Sequence, residues 1–112
     1  MNTIQRKTLT LEEIKAAVSA SLRGSIARKA ILFGSYARGD ADEYSDIDLI
    51  LVADTERKFV TRFEDFWPLI NAVHKSIDLL IYTPTELKEM VERDNPFVTH
   101  ALAEGVVIYE AG

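Results

Sequence analysis

No cysteine occurs in the 112 residues, which excludes disulfides and thiolate metal sites. No apolar run approaches the length of a membrane span. The N-terminal stretch MNTIQRKTLT is charged and has no apolar h-region, so no signal peptide is expected and the expected location is the cytoplasm. Basic residues are in deficit: 13 Lys and Arg face 18 Asp and Glu, a net charge of −5. That argues against a protein built to hold nucleic acid by its phosphates, and no direct nucleic-acid binding is expected. It suits either solubility or a basic protein partner. Proline is scarce, with three in the chain, and each falls where it marks a helix start or a kink.

What is present is apolar enough to fold, since hydrophobic residues make up 47% of the chain. The length suits a single domain over residues 1–112, with one core. Thr10 and Glu13 have capping-box spacing, and Leu11, Ile14, Val18 and Leu22 follow at helical intervals to a stop at Gly24. Lys29 to Phe33 reads as a buried strand, Tyr36 to Gly39 as a short helical turn, and Asp46 to Val52 as a second strand. Phe59, Phe63, Phe66, Trp67, Ile70 and Val73 recur at helical spacing, with a kink expected at Pro68. Ser76 to Tyr82 reads as a third strand, buried like the second. Thr83, Pro84 and Glu86 open a helix that ends near Asp94. Asn95 and Pro96 open another, ended by Gly105, and Val106 to Tyr109 closes the chain as a short strand. The expected class is α/β or α+β, one small mixed sheet with helices packed on it.

The chemistry concentrates in Gly34 to Asp48, GSYARGDADEYSDID. Asp46 and Asp48, two apart, project from one face of a strand with Cα atoms roughly 6.5–7 Å apart. Carboxylates so placed converge on one metal or bracket two. A D-x-D alone is usually a pair of solvated acids, but these head an apolar strand where they repel each other unless a cation compensates. Asp78 sits inside the apolar run Ile77 to Ile81, and beside the second strand it would face the same metals and accept a proton from an incoming hydroxyl. An all-carboxylate site fits a hard divalent ion, chiefly Mg²⁺, with two ions expected. Gly34 lets the backbone approach a ligand, and the Ser35 hydroxyl and turn N–H groups suit phosphate, with Arg38 adding a charge-assisted contact. Together these are the equipment for moving a nucleotidyl group.

Other residues carry weaker signals. Counting from Asp40, a calcium loop would need Gly at Ser45 and Glu at Leu51, so an EF-hand is rejected. His74 and His100 lack metal-ligand spacing. The aromatic stripe Phe59, Phe63, Phe66 and Trp67 reads as core or as a docking face. Lys29, Arg57 and Lys58 read as solvated, and Arg62 is open between solvation and holding an acidic group.

Gly34-Ser35, ten intervening residues, then Asp46-Ile47-Asp48 resembles the G-S-x10-D-x-D signature of the DNA polymerase β-like nucleotidyltransferases. The short chain is similar to the minimal branch, the MNT or MntA-type antitoxins. The resemblance implies the nucleotidyltransferase fold, Asp46, Asp48 and Asp78 as a metal triad, and ATP as substrate. It also implies a HEPN-type RNase toxin as partner, silenced by transfer of AMP onto a tyrosine. Two other functions stay open at this point: nucleotidyl transfer to a small molecule, and a non-catalytic module that masks the toxin by contact.

Overall fold

The computed structural model describes residues 8–111. Most of the N-terminal stretch read for a leader lies outside them. Helix α1 (Leu11–Leu22) starts at the expected capping box, with the Thr10 hydroxyl accepting from Glu13 N–H and the Glu13 side chain accepting from Thr10 N–H. Strands β1 (Ala27–Phe33) and β2 (Ile47–Ala53) flank the four-residue helix α2 (Ser35–Arg38). A 3-10 helix (Phe59–Phe66) and α3 (Trp67–Ala72) lead to β3 (Ile77–Tyr82). Helices α4 (Pro84–Glu92) and α5 (Pro96–Glu104) and strand β4 (Val106–Glu110) complete the fold.

The sheet order is β3-β2-β1-β4. Strand β1 is antiparallel to β2 and β4, whereas β2 and β3 are parallel. A parallel pair needs a crossover, and the 3-10 helix with α3 supplies it. Alternation then sorts the side chains. Ala30, Leu32, Leu49, Leu51 and Ile81 join Ile14, Val18, Leu22, Phe66 and Leu69 in the larger core under α1 and α3. Ile31, Phe33, Ile50 and Ala101 form a smaller core under α5, with Leu80 and Tyr82 packed against it. Each fully buried Leu or Ile stabilises by about 1.5–3 kcal/mol, so the first face carries most of the stability and the second is free to carry a site.

Three expectations need correction. Residues 59–66 form a 3-10 helix rather than α-helix, a tighter winding common in short connectors. The aromatic stripe divides, with Phe66 buried in the core and Phe59, Phe63 and Trp67 exposed. Strand β3 lies at the sheet edge, so Asp78 is exposed rather than a lone acid in a buried strand. Asp46 lies just before β2 rather than within it.

Candidate functional site

The site lies where β1 ends and β2 and β3 begin. Ile47 N–H donates to the Ser76 carbonyl at 2.9 Å, which aligns the two strand starts. The parallel register then sets Asp48 beside Asp78, with Phe33 opposite Asp48 on the other side. Asp48 is the one residue of β2 that is half-buried, the others being buried. Its parity puts it on the second face, with Ile50 and Leu80. The loop before it is ordered locally: Asp42 accepts from Tyr44 N–H at 2.9 Å, and Ser45 Oγ accepts from Asp42 N–H at 2.8 Å. Lys75 donates to the Glu43 carbonyl at 2.8 Å and ties that loop to the approach to β3.

The acids interact strongly. The Asp48 carboxyl is pushed up to about 6, first by burial, then by a hydrogen bond with Asp78 and by repulsion from Asp78 and Asp46, against the pull of Arg38. A negatively charged group costs free energy there without a cation. The donor set is all carboxylate oxygen, the chemistry a hard divalent ion takes. As the side chains stand, no three acidic or histidine groups among the described residues converge to hold a metal. Asp48 and Asp78 already meet through a hydrogen bond, and Asp46 is near enough to repel Asp48.

Gly34 is demanded by its own backbone and by its neighbour Asp48. Its φ of 76° and ψ of −157° suit only glycine. A Cβ there would also overlap the Asp48 carboxylate. Its N–H, expected to meet phosphate, instead donates to Glu104 Oε2 at 2.7 Å. Arg38 is engaged as well, with Asp40 at 3.2 Å and with Glu104 at 3.3 Å. Ser35 is half-buried at the start of α2, where the first N–H groups have no partner within the helix. Tyr36 anchors that helix in the larger core.

Glu104 is the residue that sequence reading missed. Its carboxyl is held below the usual range, chiefly by the Gly34 N–H and then by Arg38. No spacing signal marks it, because it acts across 70 residues. His100 is less isolated than expected, with Nε2 3.5 Å from Glu104, whereas His74 is simply exposed. Arg62 is resolved as structural: buried, it donates to the Arg57 and Ile81 carbonyls at 2.9 Å and to Glu86 at 2.6 and 3.0 Å. Lys29 and Arg57, read as solvated, pair with Glu110 at 3.7 Å and with Asp65 at 2.9 Å.

A cavity of about 870 Å³, lined by Val52, Leu87 and Val91 among others, contains none of the predicted site residues. The case for the acidic strand ends therefore rests on their own geometry and not on that hollow. Residues 12–112 match the family described as polymerase beta, nucleotidyltransferase. The chain belongs to this nucleotidyltransferase family. The fold agrees. A crystal structure described as a toxin-antitoxin with AMP-PNP superposes with a TM-score of 0.62 at 21% identity, over 87% of this chain and 73% of that one. A tri-AMPylated Shewanella oneidensis HEPN toxin in complex with MNT antitoxin gives 0.55 at 17% identity, over 89% and 72%. The Methanocaldococcus jannaschii protein named "Putative protein adenylyltransferase MJ0604" is 48% identical over 50 residues, 45% of this chain and 49% of that protein. The match thus spans about half the length of that curated relative. Among the described residues, no helix of this nucleotidyltransferase is long and apolar enough to cross a membrane.

Proposed function

We propose that this nucleotidyltransferase moves AMP from ATP to a protein hydroxyl, namely a tyrosine of a HEPN-type toxin, and so acts as an antitoxin. The observation that carries the reading is the parallel register that sets Asp48 beside Asp78, next to a turn closed by Gly34. Mg²⁺ bound by Asp46, Asp48 and Asp78 would supply charge neutralisation for the triphosphate and its departing pyrophosphate. Ser35, at the head of α2, donates its hydroxyl and N–H to the phosphates and orients them. Asp78, exposed at the sheet edge, is open to an incoming acceptor and takes the proton of its hydroxyl. The acceptor oxygen bonds to the α-phosphorus as the bond to the pyrophosphate oxygen breaks in line. The edge position of β3 supports a macromolecular acceptor, since a large partner reaches an open ledge more readily than a deep pocket. Relatives named for protein adenylylation, and neighbours that are complexes with a HEPN toxin, point to the same acceptor class.

The test mixes this chain with the product of the adjacent gene, ATP and Mg²⁺, and weighs both proteins by mass spectrometry. An AMP adduct on the partner tyrosine, absent with Asp46→Ala plus Asp48→Ala, is expected. Neutralisation of the partner by the double variant, with no adduct from either form, would falsify transfer and leave masking by contact.

A further inference from the structure

Two of the groups expected to meet phosphate are already held by one side chain. Gly34 N–H donates to Glu104 Oε2 at 2.7 Å, and Arg38 Nη1 donates to Oε1 at 3.3 Å and to Oε2 at 3.4 Å. The Glu104 side chain is only 15% exposed. It reaches the turn because α5 ends flush against β1. A Cβ at Gly105 would lie 2.7 Å from both the Ala101 carbonyl oxygen and Ile31 Cγ2, so only glycine permits that approach. Asp40 shares Arg38 at 3.2 Å, and His100 approaches Glu104 at 3.5 Å from one turn earlier in α5.

The consequence follows from the conformation of Gly34. A glycine has little intrinsic preference for one backbone region, so something outside it must select φ 76° and ψ −157°. A bond from its N–H to an ionised carboxylate is strong enough to do so. The selected conformation is the one that lays the glycine against the Asp48 carboxylate. A rotated Gly34 would separate the phosphate turn from the acidic cluster. The same carboxylate tethers Arg38 at the end of α2, so both ends of that short helix are fixed from α5.

We propose that Glu104 is a positioning residue for the nucleotide. It fixes Gly34 and Arg38 from α5, so that the phosphate turn keeps its close contact with Asp48 before the triphosphate arrives. The proposal rests on the nucleotidyl-transfer reading above. It differs sharply from a purely electrostatic view, in which a carboxylate among phosphate donors repels the triphosphate and its removal tightens binding.

Two near-isosteric variants separate these. In Glu104→Gln the amide oxygen still accepts from Gly34, whereas Glu104→Met keeps the volume and removes the acceptor. Calorimetric titration with AMP-PNP and Mg²⁺ should show binding weakened about tenfold or more in E104M and within about threefold of native in E104Q. The Gly34 amide proton resonance should move upfield in E104M and by a smaller amount in E104Q, whose amide oxygen is a weaker acceptor. In the native protein that resonance, and the Glu104 carboxyl carbon, should keep their positions when AMP-PNP saturates the site, a result that does not depend on any variant folding. Affinity in E104M equal to or tighter than native overturns the proposal. So does a native Glu104 carboxyl that leaves Gly34 on nucleotide binding. A native chain that fails to bind AMP-PNP at all sinks the nucleotidyl-transfer reading itself, whereas native binding matched by E104M sinks only the role of Glu104.

Discussion

Strand β3 carries a charged cluster at each end, and the two are built on opposite principles. At its far end Arg62 is buried and directs its donors to Glu86 and to the carbonyls of Arg57 and Ile81. Its charge lies over the Phe59 ring, 5.7 Å from the centroid. At the near end Asp48 and Asp78 sit side by side with Asp46 close enough to repel, and Arg38, whose charge acts on Asp48, is held by Asp40 and Glu104. A balanced cluster explains itself as structure. A like-charged one costs stability and persists only where a cation completes it, which is how a binding site differs from a clamp.

The largest effect expected from this contrast is on transfer. Asp46→Ala with Asp48→Ala should lower the rate of AMP transfer by about a thousandfold or more, because electrostatic stabilisation is usually the largest catalytic contribution. Circular dichroism should show the fold intact. Gly34→Ala should come next: the added Cβ meets the Asp48 carboxylate in a backbone conformation closed to alanine. A stability loss of about 1–3 kcal/mol by urea unfolding is expected, with loss of nucleotide binding.

At the other cluster Arg62→Ala should cost about 1–3 kcal/mol of stability, since it takes the Arg62 donors from the Arg57 and Ile81 carbonyls and the cation from Glu86. The same variant should leave affinity for AMP-PNP unchanged. Asp48→Asn should do the reverse, raising the melting temperature slightly by relieving repulsion while abolishing transfer. If Arg62→Ala instead removes nucleotide binding, the division between clamp and site is wrong.

The smallest effect is on pH dependence. The Glu86 carboxyl is held below its usual range, chiefly by Arg62. Its folded value is therefore depressed, so its contribution to stability is complete above the ordinary carboxylate range and is lost as pH falls through the depressed value. Glu86→Gln should flatten that acid limb of the unfolding curve and leave stability at neutral pH slightly lower.

The contrast also marks what could be seen in the sequence. Both capping boxes were legible, because Thr10 with Glu13 and Thr83 with Glu86 act within one turn. The glycine turn after β1 and the apolar strand that carries Asp48 were legible too, since both follow from local spacing. Sheet order was not, and with it went the exposure of Asp78: an apolar run reads the same in an edge strand and a central one. Arg62 and Glu104 were illegible for the same reason. Their meaning lies in partners 24 and 70 residues away, brought close only by the crossover and by α5 packing on β1. Glu86 shows both kinds of information in one residue, since it caps α4 locally and binds Arg62 at long range.

The central claim is that the acidic strand ends are unbalanced because they await a cation with its nucleotide. Thermal unfolding of the native chain with Mg²⁺ and AMP-PNP, set against Asp48→Asn under the same conditions, tests it most directly. The account predicts that the ligands raise the melting temperature of the native chain and leave the variant unmoved. An equal rise in both, or none in the native chain, would contradict it.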